Sequence, residues 1–332
     1  MGLECGLIGC GKMGRGLAEV IRDKLPEARV TTAFDAHAPT LEAFCREFEA
    51  SPAGSVEEML GKAEVDAVLI ASPNHRHCEQ TVAAAAAGKH VFCEKPMALS
   101  VADCDRMMEA CEGAGVKLMV GHSMRLNPLV RRLREEVAGG ALGDPIFGLA
   151  TYFFSGFAPR ESGLWHVSRE LCGGLFFQMA IHHIDLFLDL FGPARRVHYS
   201  GGRYGKQVRD FDDAAGLMIE FDAGGRGMFC TSSISSVPCG EMRIICTKGF
   251  VRLDSPWTYF EFGRDEETLE RVEAESLPGP GAYEMELGSF VDWVLRDAEP
   301  VLTAREGRAA VAVAEAAQKA EASGGSAEVA VD

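Results

Sequence analysis

The stretch GLIGCGKMG, Gly6 to Gly14, decides how the first third of this chain is read. Its glycines Gly9, Gly11 and Gly14 fit the spacing G-x-G-x-x-G. In a chain with 37 glycines such a match can be only a tight turn, so its surroundings must decide. LECGLIG before it is a short apolar strand, and RGLAEVIRDKL after it has helical spacing. A strand, a glycine turn and a helix in that order form a dinucleotide cradle. Gly9 permits the turn, Gly11 lets a pyrophosphate approach the backbone, and Gly14 lets helix and strand pack closely. The helix start supplies free N–H groups and a positive dipole end. An acid is expected about 20 residues on, and Asp35 closes the next strand, RVTTAFD. Its carboxylate suits ribose hydroxyls and repels a 2′-phosphate. DAHAP offers no Arg or Lys, although His37 when protonated would help a phosphate, so NAD is favoured over NADP. The expected cofactor loop is Gly9, Cys10, Gly11, Lys12, Met13 and Gly14, with Asp35.

Outward from this stretch the alternation continues. TLEAFCREFEA is helical, with Leu41, Phe44, Cys45 and Phe48 on one stripe. VDAVLIASP, HVFCEKP and VKLMVGH are near-continuous apolar runs, the mark of strands buried on both faces. The helices CEQTVAAAAAGK and VADCDRMMEACEGAG separate them. This βαβ grammar predicts a doubly wound parallel sheet over residues 1–121, a Rossmann domain. From 122 to 332 the pattern changes. IFGLATYFF, GLMIEF, GMFCTSSIS, EMRIICT, GFVRLD and TYFEF are strands without intervening helices, several separated by turns such as DAGG and TKG. The second domain is therefore predicted as α/β with a large, mostly antiparallel open sheet, for substrate binding and oligomerisation. GLFFQMAIHHIDLFLDLFG is its one strong internal helix. Two more helical stretches close the chain, and the tail SGGSAEVAVD is expected to fray.

Composition narrows the function classes. Of 332 residues, 47% are hydrophobic and 25% charged, as in an ordinary globular protein. The net charge of −16 disfavours nucleic acid. The basic cluster RRLREE near Arg131 reads as a solvated helix face. No apolar run is read as long enough to span a bilayer, and MGLECGLIGC lacks a signal peptide's basic start, so no membrane and a cytoplasmic location are expected. The 11 cysteines show no C-x-x-C spacing; Cys5, Cys93 and Cys246 sit in apolar runs, which favours free buried thiols over disulfides. His75, His77, His166, His182 and His183 lack companions at zinc-ligand spacing, so no metal is expected.

Two longer stretches carry a resemblance. ASPNHRHCEQTVAAAAAGKHVFCEKPMA resembles the proline-asparagine loop and E-K-P motif of the glucose-fructose oxidoreductase / inositol dehydrogenase (Gfo/Idh/MocA) family, at Ser72, Pro73, Asn74, His77, Gly88, Lys89, Glu94, Lys95 and Pro96. GGLFFQMAIHHIDLFLDLFG resembles its glycine-pair helix, at Gly173, Gly174, His182, Asp185 and Gly192. Arg125, Pro128, Glu286 and Phe290 match more loosely. The resemblance covers nearly the whole chain. It implies an NAD-dependent enzyme that oxidises a secondary hydroxyl of a sugar or cyclic polyol.

The residues fit such chemistry. Lys95 ends a sheet strand at the edge where ligands bind. A free lysine titrates near ~10.4, too high for a base, so burial or a neighbouring cation must lower it; otherwise Lys95 polarises the oxygen as a charged donor. Gln178, His182 and Asp185 are spaced i, i+4, i+7 and share one helix face. The family's register makes His182 the proton shuttle, with His183 packed away. Many relatives carry Asp where this chain has Gln178, an amide that orients the imidazole without charging it. The resemblance also places Ser72, Pro73, Asn74, His77 and Glu94 along the nicotinamide side. The Trp165, His166 and Arg169 loop is expected to roof the substrate, with Arg125 reaching in. Substrate contacts are thus Lys95, Arg125, Trp165, His166, Gln178 and His182. A homodimer or homotetramer is expected, because an open sheet leaves one face for a partner subunit. Two rivals stand beside this reading: a non-catalytic sensor or regulator of the same fold, and an enzyme using NAD transiently, as a redox-assisted lyase or hydrolase.

Overall fold

The computed structural model describes residues 2–155, 165–205, 209–254 and 257–330. The chain divides into two compact units, Met1–Ser123 with Ala282–Arg308, and Met124–Gly281 with Ala309–Asp332. A cut at residue 121 therefore places the start of the second unit within a few residues. It does not anticipate the return of 282–308 to the first.

The first unit runs β1 (Leu3–Ile8), α1 (Lys12–Lys24), β2 (Ala28–Phe34), α2 (Ala38–Phe48), β3 (Ser51–Pro52), α3 (Val56–Leu60), β4 (Ala67–Ile70), α4 (His77–Ala86), β5 (His90–Glu94), α5 (Val101–Ala114) and β6 (Leu118–Gly121). All strand pairs are parallel, in the order β3-β2-β1-β4-β5-β6. Val68, Leu69, Ile70, Val91 and Phe92 are fully buried, as their continuous apolar runs require. The two-residue β3 adds a sixth strand to the five read from sequence, being too short to show a period. Ser55 and Ser100 start α3 and α5 by accepting N–H bonds from Glu58 and Asp103, each at 3.1 Å.

The second unit begins with α6 (Pro128–Ala138), β7 (Pro145–Ser155), α7 (Arg169–Cys172) and α8 (Ile181–Phe191), the last preceded by a π-helical turn at Phe176–Ala180. Strands β8 (Ala194–Gly202), β9 (Ala214–Phe221), β10 (Arg226–Ser232), β11 (Ile234–Cys246), β12 (Phe250–Asp254), β13 (Tyr259–Gly263) and β14 (Glu270–Glu273) follow. The chain closes with α9 (Ala282–Arg296), α10 (Ala304–Ser323) and β15 (Ser326–Glu328). The nine strands lie in the order β14-β13-β12-β11-β7-β10-β9-β8-β15. Every pair is antiparallel except β7 with β10. Alternate residues Ala215, Leu217, Ile219 and Phe221 of β9 are buried, so one face of the sheet is core.

Two expectations change. The tail does not simply fray: Ser326–Glu328 pairs with β8, an edge strand whose free N–H and C=O groups accept it, and Arg196 pairs with Glu328. The basic run near Arg131 is not merely solvated. α6 buries Leu129, Val130, Leu133 and Val137, and Arg134 hydrogen-bonds Asp189 of α8 at 2.9 Å. Against the expectation that no apolar run is long enough, the segment Arg169–Phe191 could cross a membrane by length and composition, but 78% of its apolar 18-residue window is buried within the protein, which makes it a core segment. The 11 cysteines are free thiols, and Cys239 is exposed.

α8 is seated by glycine. Gly148 of β7 and Gly227 of β10 pair directly across the parallel ladder. A Cβ on Gly148 would lie 2.7 Å from the Phe187 ring, and one on Gly227 3.0 Å from it. The fully buried Phe187 ring thus fills a window that exists only because both positions lack side chains. We expect Phe187→Ala to cost about 3–5 kcal/mol and Gly148→Ala about 1–3 kcal/mol. The double variant should lose less than the sum, since removing the ring removes the clash; urea unfolding of all three checks it. Strict additivity would mean that ring and window do not meet.

Candidate active site

In the first unit, the candidate site is the carboxyl edge of the parallel sheet, where strand order reverses between β1 and β4. Gly9 has φ +97°, a left-handed conformation, and a Cβ there would lie 2.6 Å from the backbone of Ala71. At Gly14 a Cβ would lie 1.9 Å from the Gly9 carbonyl. Around Gly11, which caps α1, nothing lies within 4 Å of that position. Gly9 and Gly14 serve close packing and Gly11 leaves open space, as a pyrophosphate needs. Lys12 is exposed and Met13 half-buried on the first turn of α1, while the Cys10 side chain turns inward, its Sγ 3.7 Å from the Phe34 carbonyl. Asp35 sits at the end of β2. Its Oδ2 accepts from the Cys10 N–H and its Oδ1 from the His37 N–H, both at 2.8 Å. The carboxylate is thereby fastened to the glycine loop.

The ends of β4 and β5 are tied together by His77. This imidazole is buried, with Nδ1 2.8 Å from the Pro96 carbonyl and Nε2 3.0 Å from that of Ser72. Burial lowers its pKa, against the pull of the two carbonyls. The Ser72 hydroxyl donates to Gln80 at 2.6 Å, and Asn74 is buried in the short 3₁₀ turn Asn74–Arg76. The structure therefore makes His77 a strut beneath the Ser72–Asn74 loop.

Glu94 and Lys95 follow on β5. Glu94 is buried and stands opposite Gly121 of β6. Its Oε2 accepts from the Lys95 N–H at 3.2 Å, and its Oε1 has no hydrogen-bond partner. Burial raises its pKa from 4.5 to about 7. For partly buried Lys95, burial lowers the ammonium pKa while the Glu94 carboxylate opposes that shift. Tyr283 of α9, not singled out from sequence, is hydrogen-bonded to Ser123 just beyond β6, within electrostatic reach of Glu94.

In the second unit, the expected site residues lie on α8 and the turns before it. The π turn widens the helix, so Gln178 and Asp185 are not related by the regular spacing read from sequence. The Gln178 amide donates to the carbonyl of His166 at 3.1 Å and so holds the Trp165–Val167 turn. The His166 side chain is buried, and the Trp165 ring meets it edge-on at 5.7 Å. His182 is half-buried one residue into α8. His183 is buried, stacks on Phe229 at 4.6 Å, and has its pKa pushed down to about 3 by burial. It is a neutral core residue, which separates the two histidines as expected.

Two cations expected near substrate are committed to acids. Arg125 reaches α8, with Nε 3.0 Å and an Nη 2.5 Å from the Asp185 carboxylate, and pairs with Asp189 at 3.1 Å. Arg169 forks onto Glu321 of α10 with two bonds of 2.6 Å. Asp189 and Arg134 were missed; an acid four residues beyond Asp185 on an apolar helix is the signal that could have found them. Among the described residues no group of three His, Cys, Asp or Glu side chains is arranged to hold a metal ion.

Comparison with known proteins adds to this geometry. Residues 3–122 match the profile of an oxidoreductase family with an NAD-binding Rossmann fold, and residues 130–252 match the GFO/IDH/MocA C-terminal domain. The chain is 31% identical over 285 residues to the 1,5-anhydro-D-fructose reductase of Ensifer adhaerens, covering 83% of each. It is 30% identical to the 2,7-anhydro-N-acetylneuraminate hydratase of Escherichia coli, over 76% of this chain and 68% of that one. The WlbA dehydrogenase of Bordetella pertussis, solved with NADH and UDP-GlcNAcA, superimposes with a TM-score of 0.87 at 23% identity, over 100% of this chain and 99% of that one.

Glu94 yields a pH prediction. Between about 4.5 and 7 the folded chain keeps a proton that the unfolded chain has released. Its contribution to stability therefore falls as pH rises through that window and levels off above it. Glu94→Gln should gain stability relative to the parent from pH 5 to pH 7, read as a growing difference in Tm. A difference that stays constant with pH would rule out the shifted carboxyl.

Proposed function

The chain belongs to the Gfo/Idh/MocA family of NAD-binding oxidoreductases, and on that premise we propose that it oxidises a secondary hydroxyl of a sugar or cyclic polyol, with Lys95 and His182 handling the proton. The observation that carries this reading is Lys95, a partly buried lysine with a lowered pKa at the carboxyl end of β5, on the sheet edge that also holds the glycine loop. The substrate class follows the named relatives.

NAD, when bound, supplies the hydride acceptor. The residues present fit it: Gly11 leaves space beside the helix start, Asp35 faces the ribose, and the orphaned Oε1 of Glu94 offers an acceptor on the nicotinamide side. Cys10, Lys12 and Met13 line the phosphate turn, and Ser72, Pro73 and Asn74 the nicotinamide side, with His77 holding their loop. On the substrate side, Lys95 donates a hydrogen bond to the hydroxyl oxygen. His182 takes the proton as the carbinol becomes a carbonyl. Gln178, an amide, orients the turn carrying Trp165 and His166 and supplies no charge to the imidazole. Proton handling therefore falls more heavily on Lys95 than in relatives with Asp at this position. Arg125 acts as a positioning residue, holding α8 through Asp185 and Asp189.

The hydratase relative favours a second reading, in which the coenzyme is reduced and reoxidised within one turnover. The two readings differ in net NADH. With cyclic polyols, aldoses and anhydrosugars as substrates, the dehydrogenase accumulates absorbance at 340 nm, and the transient-redox enzyme converts substrate without it. Lys95→Met and His182→Ala should each lose at least about a hundredfold in turnover while binding NADH nearly as the parent does. Unchanged turnover in either variant removes that residue from the mechanism. A homodimer or homotetramer completes the reading, and a monomeric mass in light scattering at micromolar protein would refute it.

A further inference from the structure

The corner of the first unit beside Asp35 holds a charge arrangement that the reading so far does not use. Arg15 follows Gly14 directly, in the first turn of α1. Its guanidinium lies 6.0 Å from the centre of the Phe44 ring of α2 and is ion-paired with Glu47, three residues further along that helix. Its charge acts on the Cys10 thiol, and the Cys10 N–H is the group that Asp35 holds at 2.8 Å. Asp35 and Arg15 thus both act on Cys10 in the glycine loop, and Glu47 holds the Arg15 charge beside it.

A 2′-phosphate on the adenosine ribose would bring roughly −1.5 to −2 charges toward the Asp35 carboxylate. Accepting it takes a guanidinium that can fork onto phosphate oxygens. Arg15 has that chemistry and stands one residue from the cradle. Glu47 already occupies it. Both side chains are partly exposed, at 29% and 42%, so solvent reaches the pair and its opening is a local event.

We propose that the Arg15–Glu47 ion pair sets coenzyme selectivity: Glu47 draws Arg15 onto α2 and neutralises it, leaving Asp35 to read the ribose hydroxyls and exclude NADP. The proposal rests on the NAD site described above and names the residue pair that tunes it. Asp35 alone does not complete the discrimination, because an unpaired guanidinium acting on the same glycine loop would offset its repulsion of phosphate.

The test is fluorescence titration of the full chain with NADH and with NADPH at pH 8 and low salt. Glu47→Gln, isosteric and on a solvated helix face, should tighten NADPH binding about tenfold and leave NADH within about twofold. Glu47→Gln with Arg15→Gln should cancel the NADPH gain, because the released guanidinium is what captures the phosphate. The proposal is overturned if Glu47→Gln leaves the NADPH-to-NADH affinity ratio unchanged, or if the gain survives loss of Arg15. Failure of the parent protein to bind NADH is a separate outcome, which would overturn the dinucleotide site and this proposal with it.

Discussion

The chemistry-bearing edge of the first unit depends on backbone meeting backbone at the ends of β1, β4 and β5. Gly9 must be left-handed and bare because Ala71 and Ser72 pass within 2.6–2.7 Å of where its Cβ would stand. Gly14 must be bare because α1 begins against the Gly9 carbonyl. His77 then bridges the carbonyls of Ser72 and Pro96. The glycine loop, the Ser72–Asn74 loop and the Lys95 turn are thus registered in sequence by close contacts. Their positions are set by main-chain sterics, which tolerate little side-chain substitution.

The second unit solves the same problem with a ring in place of a carbonyl. The Phe187 ring occupies the Gly148–Gly227 window and fixes α8 on the sheet. Arg125 and Arg134 brace the same helix through Asp185 and Asp189. Truncating one partner of such a buried pair leaves a charge without compensation, so these arginines brace α8. His182 sits at the opposite end of α8, next to the π turn, where the helix is least regular.

What was legible in the sequence followed range. The glycine spacing, the acid at the end of β2 and the apolar strands are local patterns with a physical period, and the parallel sheet follows from them. The helical pattern alone left His182 and His183 ambiguous, and only the family resemblance told them apart. The π turn was not legible, since no local period marks it; around it Gly173 packs against the Phe177 ring and Gly174 beside Phe211. Nor was the engagement of Arg125 and Arg169 by Asp185 and Glu321, which lie 60 and 152 residues away. The pairing of β15 with β8 escaped for the same reason, as three residues carry no period of their own.

The return of 282–308 to the first unit has a consequence for how the protein is made. Phe290 packs edge-on against Phe92 at 5.8 Å, a Cβ on Gly307 would lie 3.0 Å from Val120, and Arg308 pairs with Asp105 at 2.6 Å. The nucleotide-binding core is thus finished by residues translated after the whole intervening sheet. On the ribosome its apolar strands must wait, partly uncovered, while some 160 residues of the other unit emerge, as counted from Met124 to Gly281. Nascent chains stalled before residue 282 should therefore be clients for chaperones, with order arriving late and in both halves together.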